Sequence, residues 1–437
     1  MGTSGAGRRA ATFCIKTFGC KVNAYESQAM REQLLARGLR EVPFAPCENE
    51  AADIAIVNTC AVTQTAERRS MRALRRARDI IAPGGIVIAA GCAAAYPEGL
   101  AKIGRHADIC VDNAGKTDLA RIAGLGSDPA PAAGISRFEG RTRAFIKVQD
   151  GCDQRCSYCI IPIARGRSVS RRPEEIIEEV RRLLDAGYRE IVLTGIHLGA
   201  YGKDISPRFD LAALCGRICG LKGNFRVRLS SIEACDISPE LLSLISSSAR
   251  MCPHLHVPLQ SGDDRILKAM RRPYTASEFL AKIEAIRSAV ENPALSTDVL
   301  YGFPGETQDA FENTLAVIRK AGFTRLHVFP FSPRQGTEAF GLPGRIKKTE
   351  MDRRGEILAR VANEMAEAAC RKYLGSEAVA LIEHERDPRT GMLTGYTERY
   401  LPVIMDCPDA LAGSFARVRL EEVSPSGIIA SVLESRR

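Results

Sequence analysis

The sequence predicts an α/β chain in three parts: a parallel α/β domain, a partial (βα)6 barrel and a small C-terminal antiparallel β-barrel. Three observations carry this. From residue 12 to about 124, short apolar runs alternate with helical patterns, which predicts a parallel sheet. From about residue 141, six strand candidates are again separated by helical stretches. Beyond residue 375, short strands alternate with turns alone. A chain of 437 residues with 45% hydrophobic content can bury two or three cores. Its longest apolar run, Gly85–Ala95, is well short of a membrane span, and no hydrophobic segment follows Met1–Arg9. The expectation is a soluble, cytoplasmic protein without a membrane partner.

The first domain is expected over residues 11–124, after a disordered tail through Ala10. Its apolar runs Phe13–Cys20, Asp53–Cys60 and Gly85–Cys92 each end in a cysteine, and Ala24–Ala36 and Gln64–Asp79 read as amphipathic helices between them. In a parallel sheet the C-terminal ends of all strands line one edge, which is where ligands bind. Cys20, Cys60 and Cys92 should therefore converge, and they read as a three-thiolate site with one iron left open. Mononuclear zinc is the competing occupant, and ordinary burial at strand ends is the bland alternative. The Arg-rich stretch Arg68–Arg78 turns Met71, Leu74 and Ala77 inward. Its arginines could bind phosphates or simply face solvent. Residues 125–140 have linker composition.

The second domain is expected over residues 141–346. Strand Ala144–Gln149 leads into Gly151–Cys159, where Cys152, Cys156 and Cys159 stand at CxxxCxxC spacing. Three thiols are one too few for a closed site, so they suggest a cluster with an open iron. A zinc knuckle with a remote ligand, or coincidence among fifteen cysteines, remains possible on spacing alone. Tyr158 supplies an aromatic edge. Cys14, Cys47, Cys110, Cys215, Cys219, Cys235, Cys252, Cys370 and Cys407 lack ligand spacing and read as packing residues. Further strands are expected at 190–195, 226–231, 255–260, 295–302 and 325–331, with the clearest helix at Pro173–Gly187. The site of such a barrel lies at the C-terminal ends of its strands. Arg165, Arg167, Arg171 and Arg172 follow the cysteines and could hold a polyanionic substrate or a cofactor carboxylate; a solvated loop is the alternative. Residues 347–374 read as a connecting helix, and 375–437 as a small barrel of oligonucleotide-binding type with strands near 378–382, 400–404, 415–420 and 427–432.

The Gly151–Cys159 loop resembles the cluster loop of radical S-adenosylmethionine enzymes. The resemblance implies that Cys152, Cys156 and Cys159 hold a 4Fe-4S cluster whose open iron chelates S-adenosyl-L-methionine, the source of a 5′-deoxyadenosyl radical. Segments Thr194–Gly199, Ser230–Glu233, Gln260–Gly262 and Tyr301–Glu306 resemble that superfamily's cofactor cradle, which places Tyr158, Gly195, Ser231, Glu233, Gln260 and Gly302 against the cofactor. The Glu expected after Gly195 is missing, so contact there would be mainly backbone. Over nearly the full length the chain resembles the methylthiotransferase family, with its methylthiotransferase, radical and TRAM domains. Thr17–Asn23, Val57–Thr63 and Gly91–Cys92 carry that likeness. It implies a second, auxiliary 4Fe-4S cluster on Cys20, Cys60 and Cys92; Ala94 and Ala95 stand where a Gln is common. Each cluster would have three Cys ligands.

Within the family, Gly19–Asn23 and Cys159–Gly166 look most like the branch that modifies N6-threonylcarbamoyladenosine at position 37 of tRNA. C2 of adenine is neither acidic nor a ready electrophile, so a carbon radical suits its conversion. The resemblance also implies an external one-electron donor of flavodoxin or ferredoxin type, and leaves the sulfur donor unidentified. The net charge of +9 is uneven: residues 375–437 carry seven Arg and ten acids, a net of −3. The basic front of the chain matches a tRNA anticodon loop, while RNA contact by the C-terminal barrel would fall to Arg417 and Arg419. Methylthiolation of N6-isopentenyladenosine-37 or of a ribosomal-protein aspartate are the alternatives within the family. A zinc-stabilised RNA-binding protein is the alternative without catalysis.

Overall fold

The computed structural model describes residues 11–45, 51–126, 134–207 and 209–436. The tail to Ala10, Cys47 and the middle of the 125–140 linker lie outside them. The chain forms two compact units. The first contains the chain to Ile135 together with Cys159–Gly166 and Arg334–Gly336; the second contains Ser136–Tyr158, Arg167–Pro333 and Thr337–Arg437.

In the first unit, strands β1 (Thr12–Thr17), β2 (Arg40–Glu41), β3 (Ala52–Thr59), β4 (Ile81–Gly91) and β5 (Ile109–Val111) form one sheet in the order β2-β1-β3-β4-β5. All four pairings are parallel. Helices α1 (Lys21–Leu35), α2 (Gln64–Ile80), α3 (Pro97–Ile103), α4 (Leu119–Ile122) and α5 (Ile161–Arg165) cover it or flank its edge. Two apolar clusters result, one built on Leu74, Ala77 and Val87, the other on Phe13, Met30 and Ile88. Met71, Leu74 and Ala77 pack into the first of them, as their three-residue spacing predicts. The short β2 and β5 carry too little apolar pattern to be read from sequence.

The second unit holds β6 (Arg143–Asp150), β7 (Val169–Ser170), α6 (Pro173–Asp185), β8 (Glu190–Gly195), α7 (Leu211–Cys219), β9 (Arg226–Leu229), α8 (Pro239–Ser247) and β10 (His254–His256). It continues with α9 (Asp264–Ala269), α10 (Ala276–Ala289), β11 (Ala294–Tyr301), α11 (Gln308–Ala321) and β12 (Arg325–Pro330). Strands β6, β8 and β9 pair in parallel, as do β10, β11 and β12. Parallel bridges Val227–Met251 and Ser231–His256 join the two groups. The six expected strands thus form one open arc, with β7 added antiparallel to β6.

Helix α12 (Lys348–Lys372) leads to β13 (Glu377–Arg386), β14 (Leu393–Thr397), β15 (Pro402–Met405), β16 (Phe415–Ser424) and β17 (Gly427–Arg436), a closed barrel in the order β13-β14-β15-β17-β16. Strand β14 escapes sequence reading because its Leu393-Thr-Gly-Tyr-Thr397 stretch has no apolar run. Four of the five pairings in the barrel are antiparallel, as expected, and β15 and β17 run parallel. A ring of five strands cannot alternate direction throughout, so one parallel pair is geometrically required.

This small barrel docks on the N-terminal ends of β6, β8 and β9 through a buried charge cluster. Glu190, fully buried at the start of β8, accepts from Arg226 Nε at 2.6 Å and Arg228 Nε at 2.7 Å. The other guanidinium nitrogens donate to backbone carbonyls of the small barrel: Arg226 to Val379 and Tyr396, Arg228 to Thr397 and Glu398. Arg143, at the start of β6, pairs with Glu383 at 2.8 Å. Burial opposes ionisation of Glu190, but the two arginines outweigh it and leave its pKa well below the usual carboxylate range.

Candidate functional site

The first unit gathers Cys20, Cys60 and Cys92 at one sheet edge, because β1, β3 and β4 are parallel and each cysteine follows its strand end by one to three residues. Cys20 sits at the N-cap of α1, Cys60 directly follows β3, and Cys92 opens a 3-10 turn after β4. The family-like residues around them are clamps. Asn23 Nδ2 donates to the carbonyls of Phe18 at 2.7 Å and Thr59 at 2.9 Å, which ties the first cysteine loop to the second. Thr59 Oγ1 donates to Ala90 O at 2.7 Å and accepts from Ala93 N at 3.1 Å, which ties the second to the third. Gly19, at φ +101°, lies so close to Cys60 that a Cβ would meet its sulfur at 3.0 Å. Only glycine lets the two loops approach this far.

Burial pushes the Cys60 thiol up to about 12, a backbone hydrogen bond from Val62 opposes it, Cys92 and Cys20 raise it further and Arg165 lowers it. Cys60 thus lies within electrostatic reach of both other thiols, and a cation, Arg165, stands beside them. From sequence, Arg165 could hold a polyanionic substrate or a cofactor carboxylate, or lie on a solvated loop. Instead its side chain is 0% exposed, donating to Glu26 Oε1 at 2.9 Å and to Asn23 Oδ1 at 2.6 Å. Lys116 pairs with the same Glu26. Helix α5, which carries Arg165, packs Ile160 and Ala164 against Ala61, Cys92 and Tyr96. Asn113, which sequence reading missed, donates to Ala164 O at 2.8 Å and approaches Cys92 Sγ at 3.8 Å.

In the second unit, Cys152 and Cys156 lie on the loop after β6, at the C-terminal edge of the arc; Cys159 opens the segment that packs in the first unit. Two ion pairs support these thiols. Arg272 Nη1 points at Cys156 Sγ at 3.6 Å while holding Glu233, and Tyr274 accepts from Arg272 Nε at 3.0 Å. Burial raises the Cys156 thiol and Arg272 opposes that rise. His197 Nδ1 lies 3.8 Å from Cys152 Sγ, its Nε2 2.6 Å from Asp236, and Lys203 completes the row at 2.9 Å from Asp236. Arg272 lies more than a hundred residues from its cysteine and belongs to no motif, while His197 falls inside the Thr194–Gly199 segment, where sequence reading missed it.

Burial alone would lower the His197 pKa, but the bonds to Asp236 and Cys152 prevail and raise it to about 9. A folded value above the unfolded 6.5 gives stability that is complete below about pH 6.5 and lost as pH rises through about 9. Ring-proton NMR of the metal-free protein should show His197 titrating near 9. In Asp236→Asn it should fall back toward about 6.5; an unchanged value would remove Asp236 as the cause.

The remaining expected contacts divide. Gly195 ends β8, where a Cβ would meet Gln149 Oε1 at 2.9 Å, and Tyr158 packs beside Met270 and Phe303. Ser231 is exposed, and Gln260 holds φ +67° while bridging Val299. Glu233, expected against the cofactor, is engaged by Arg272 and orients it. Gly302 is a packing position: a Cβ there would strike Met351 of α12, and its N–H already donates to Glu306 at 2.7 Å. Arg171 binds Glu179 and the carbonyl of Lys147, whereas Arg167 and Arg172 are exposed.

Among the described residues no group of three or more His, Cys, Asp or Glu is drawn together around one metal ion. The donor sets are thiols alone, the chemistry of iron–sulfur ligation. Directly after β9, at the C-terminal edge of the same arc, buried Ser230 carries a hydroxyl without a hydrogen-bond partner among the described residues. An orphaned buried hydroxyl is costly unless a bound group satisfies it, so this position fits a polar cofactor.

Comparison with known proteins agrees with this division. Residues 146–318 match the radical SAM superfamily, and residues 12–112 match the uncharacterized protein family UPF0004. The threonylcarbamoyladenosine tRNA methylthiotransferase MtaB of Chlamydia pneumoniae is 38% identical over 97% of this chain and 98% of its own. The tRNA-2-methylthio-N(6)-dimethylallyladenosine synthase of Moorella thermoacetica is 31% identical over 94% and 95%. Among solved structures, the radical S-adenosylmethionine methyltransferase TsrM of Kitasatospora setae superposes with a TM-score of 0.54 at 14% identity, over 76% of this chain and 77% of that one. The second unit's arc and thiol loop thus define a radical S-adenosylmethionine enzyme. With the thiol-bearing first unit added, the chain belongs to the radical S-adenosylmethionine methylthiotransferase family. None of its described helices is long and apolar enough to cross a membrane.

Proposed function

We propose that this chain adds a methylthio group to C2 of N6-threonylcarbamoyladenosine at position 37 of tRNA. One observation carries the choice of substrate: threonylcarbamoyladenosine tRNA methylthiotransferases match at 34–38% identity over nearly the whole chain, against 30–32% for dimethylallyladenosine synthases. Cys20, Cys60 and Cys92 would hold one 4Fe-4S cluster; Cys152, Cys156 and Cys159 would hold the other, with S-adenosyl-L-methionine on its open iron. When bound, these groups supply the one-electron, carbon-radical and sulfur-carrying chemistry that side chains lack. The chain's own residues hold and screen them. Arg272, oriented by Glu233 and Tyr274, faces Cys156, and His197, held by Asp236, faces Cys152. Ser230 would meet the cofactor's polar edge, and Arg165 places positive charge beside the auxiliary thiols.

We place the domains at 11–124, 141–346, 347–374 and 375–437, with 125–140 as the linker between the first two, in the cytoplasm where tRNA and reduced thiols coexist. An external one-electron donor of flavodoxin or ferredoxin type completes the reaction. Mass spectrometry of tRNA nucleosides from cells with and without the gene tests this reading. Loss of 2-methylthio-N6-threonylcarbamoyladenosine, with its precursor accumulating, is expected. Loss of the methylthio-isopentenyl nucleoside instead would move the substrate to the sister branch, and unchanged tRNA would point to ribosomal protein.

A further inference from the structure

Helix α2 begins four residues after Cys60 and carries six arginines and no lysine. Two are engaged: Arg78 pairs with Asp108 at 2.8 Å, and Arg75 reaches His106. Arg68, Arg69, Arg72 and Arg76 are exposed and make no ion pair among the described residues. The helix's own acids do not pair with them among the described residues: Glu67 is buried against Arg334 and Lys102, and Asp79, three residues beyond Arg76, forms no ion pair with it. Arg68, Arg72 and Arg76 follow one another at four-residue spacing, so they form a single stripe about 12 Å long. Such uncompensated charge destabilises the isolated helix slightly, because like charges at that spacing repel.

The small C-terminal barrel is the opposite case. Arg417 lies 3.7 Å from both Glu377 and Glu434, and Arg419 lies 3.3 Å from Glu377. The two residues expected to contact RNA there are already neutralised by acids, on a segment of net charge −3.

We infer that the Arg68–Arg72–Arg76 stripe of α2 is the surface on which the substrate RNA's phosphate backbone docks. Arginine's planar fork matches phosphate oxygens two at a time. A linear row of charge suits a strand of phosphates. A protein partner would want an apolar or aromatic anchor in the patch, and no exposed large hydrophobic residue lies on α2. The helix leaves the sheet edge that carries Cys60, so RNA held there is held by the same rigid element that positions an auxiliary thiol. This inference rests on tRNA being the substrate.

The test measures affinity of the cluster-loaded full-length protein for a tRNA transcript across a series of salt concentrations. Each phosphate contact contributes about 0.7–0.9 to the slope of log K against log salt. Arg68→Gln/Arg72→Gln/Arg76→Gln should therefore flatten the slope by about 2 and weaken binding most at low salt. Arg68→Lys/Arg72→Lys/Arg76→Lys, which keeps the charge, should keep most of the slope. Arg417→Gln/Arg419→Gln, losing charges that acids already balance, should leave it nearly unchanged. If the wild type binds tRNA and the Gln variant, with normal iron content, shows the same slope, the stripe is not the RNA surface. If that variant binds tRNA normally but no longer accepts electrons from an acidic donor protein, the surface belongs to that protein and the inference fails. A wild type with no salt-dependent affinity for tRNA would instead overturn the functional reading itself.

Discussion

Replacing Cys152 by alanine is expected to abolish cleavage of S-adenosyl-L-methionine and to remove about four irons per chain, the content of one 4Fe-4S cluster. The loop would keep two thiols, too few to anchor a cluster that already lacks a fourth protein ligand. His197, 3.8 Å from the sulfur, would lose a partner as well. Cys60→Ala should give a different result. It empties only the thiol edge of the first unit, so 5′-deoxyadenosine should still form while the methylthiolated nucleoside does not. Iron analysis and chromatography of the cleavage products separate the two. Equal loss of both products in both variants would show that the thiol sets do not act as independent sites.

Replacing Glu190 by glutamine is expected to destabilise the second unit by about 3–5 kcal/mol, the usual result of leaving a buried charge without its partner. The side chain keeps its size but loses its charge, so Arg226 and Arg228, both nearly fully buried, would face each other uncompensated. Because both guanidinium groups also hold carbonyls of the small barrel, the loss should appear first as release of residues 375–437. Limited proteolysis and urea denaturation would detect it. The depressed Glu190 pKa sets the pH dependence. A carboxylate whose folded value lies below the unfolded one stabilises the fold above the unfolded value near 4.3, and that stabilisation fades only as pH falls toward the lower folded value. The wild type should therefore keep the docked barrel well into mild acid, and Glu190→Gln should lose that dependence. A variant as stable as the wild type would mean that the cluster is electrostatically neutral in its net effect.

Much of this was legible one residue at a time. Alternation of apolar runs with helical patterns predicted the parallel sheets, and parallel strands put Cys20, Cys60 and Cys92 on one edge without further information. CxxxCxxC spacing lies within nine residues, so one loop determines it. The readings that moved were those of long-range partners. Arg165 follows the second thiol set in sequence, yet its guanidinium serves Asn23 and Glu26 near the first. Gly302 looked like part of a cofactor cradle, but a helix fifty residues on lies against its Cα. Glu233 proved to be the counter-ion of an arginine that no motif contains.

By itself the sequence carried the alternation of strands and helices and the CxxxCxxC spacing of one loop, because each depends on periodicity or spacing along a continuous stretch, while the family came from the resemblance of its motifs. Only the tertiary structure decided which charges are compensated. It buried Arg165, Arg226 and Arg228 against Glu26 and Glu190, balanced Arg417 and Arg419 with acids, and left Arg68, Arg69, Arg72 and Arg76 of α2 open. An ion pair is fixed by distance in space, and the alphabet of the chain records charge without recording what folds against it.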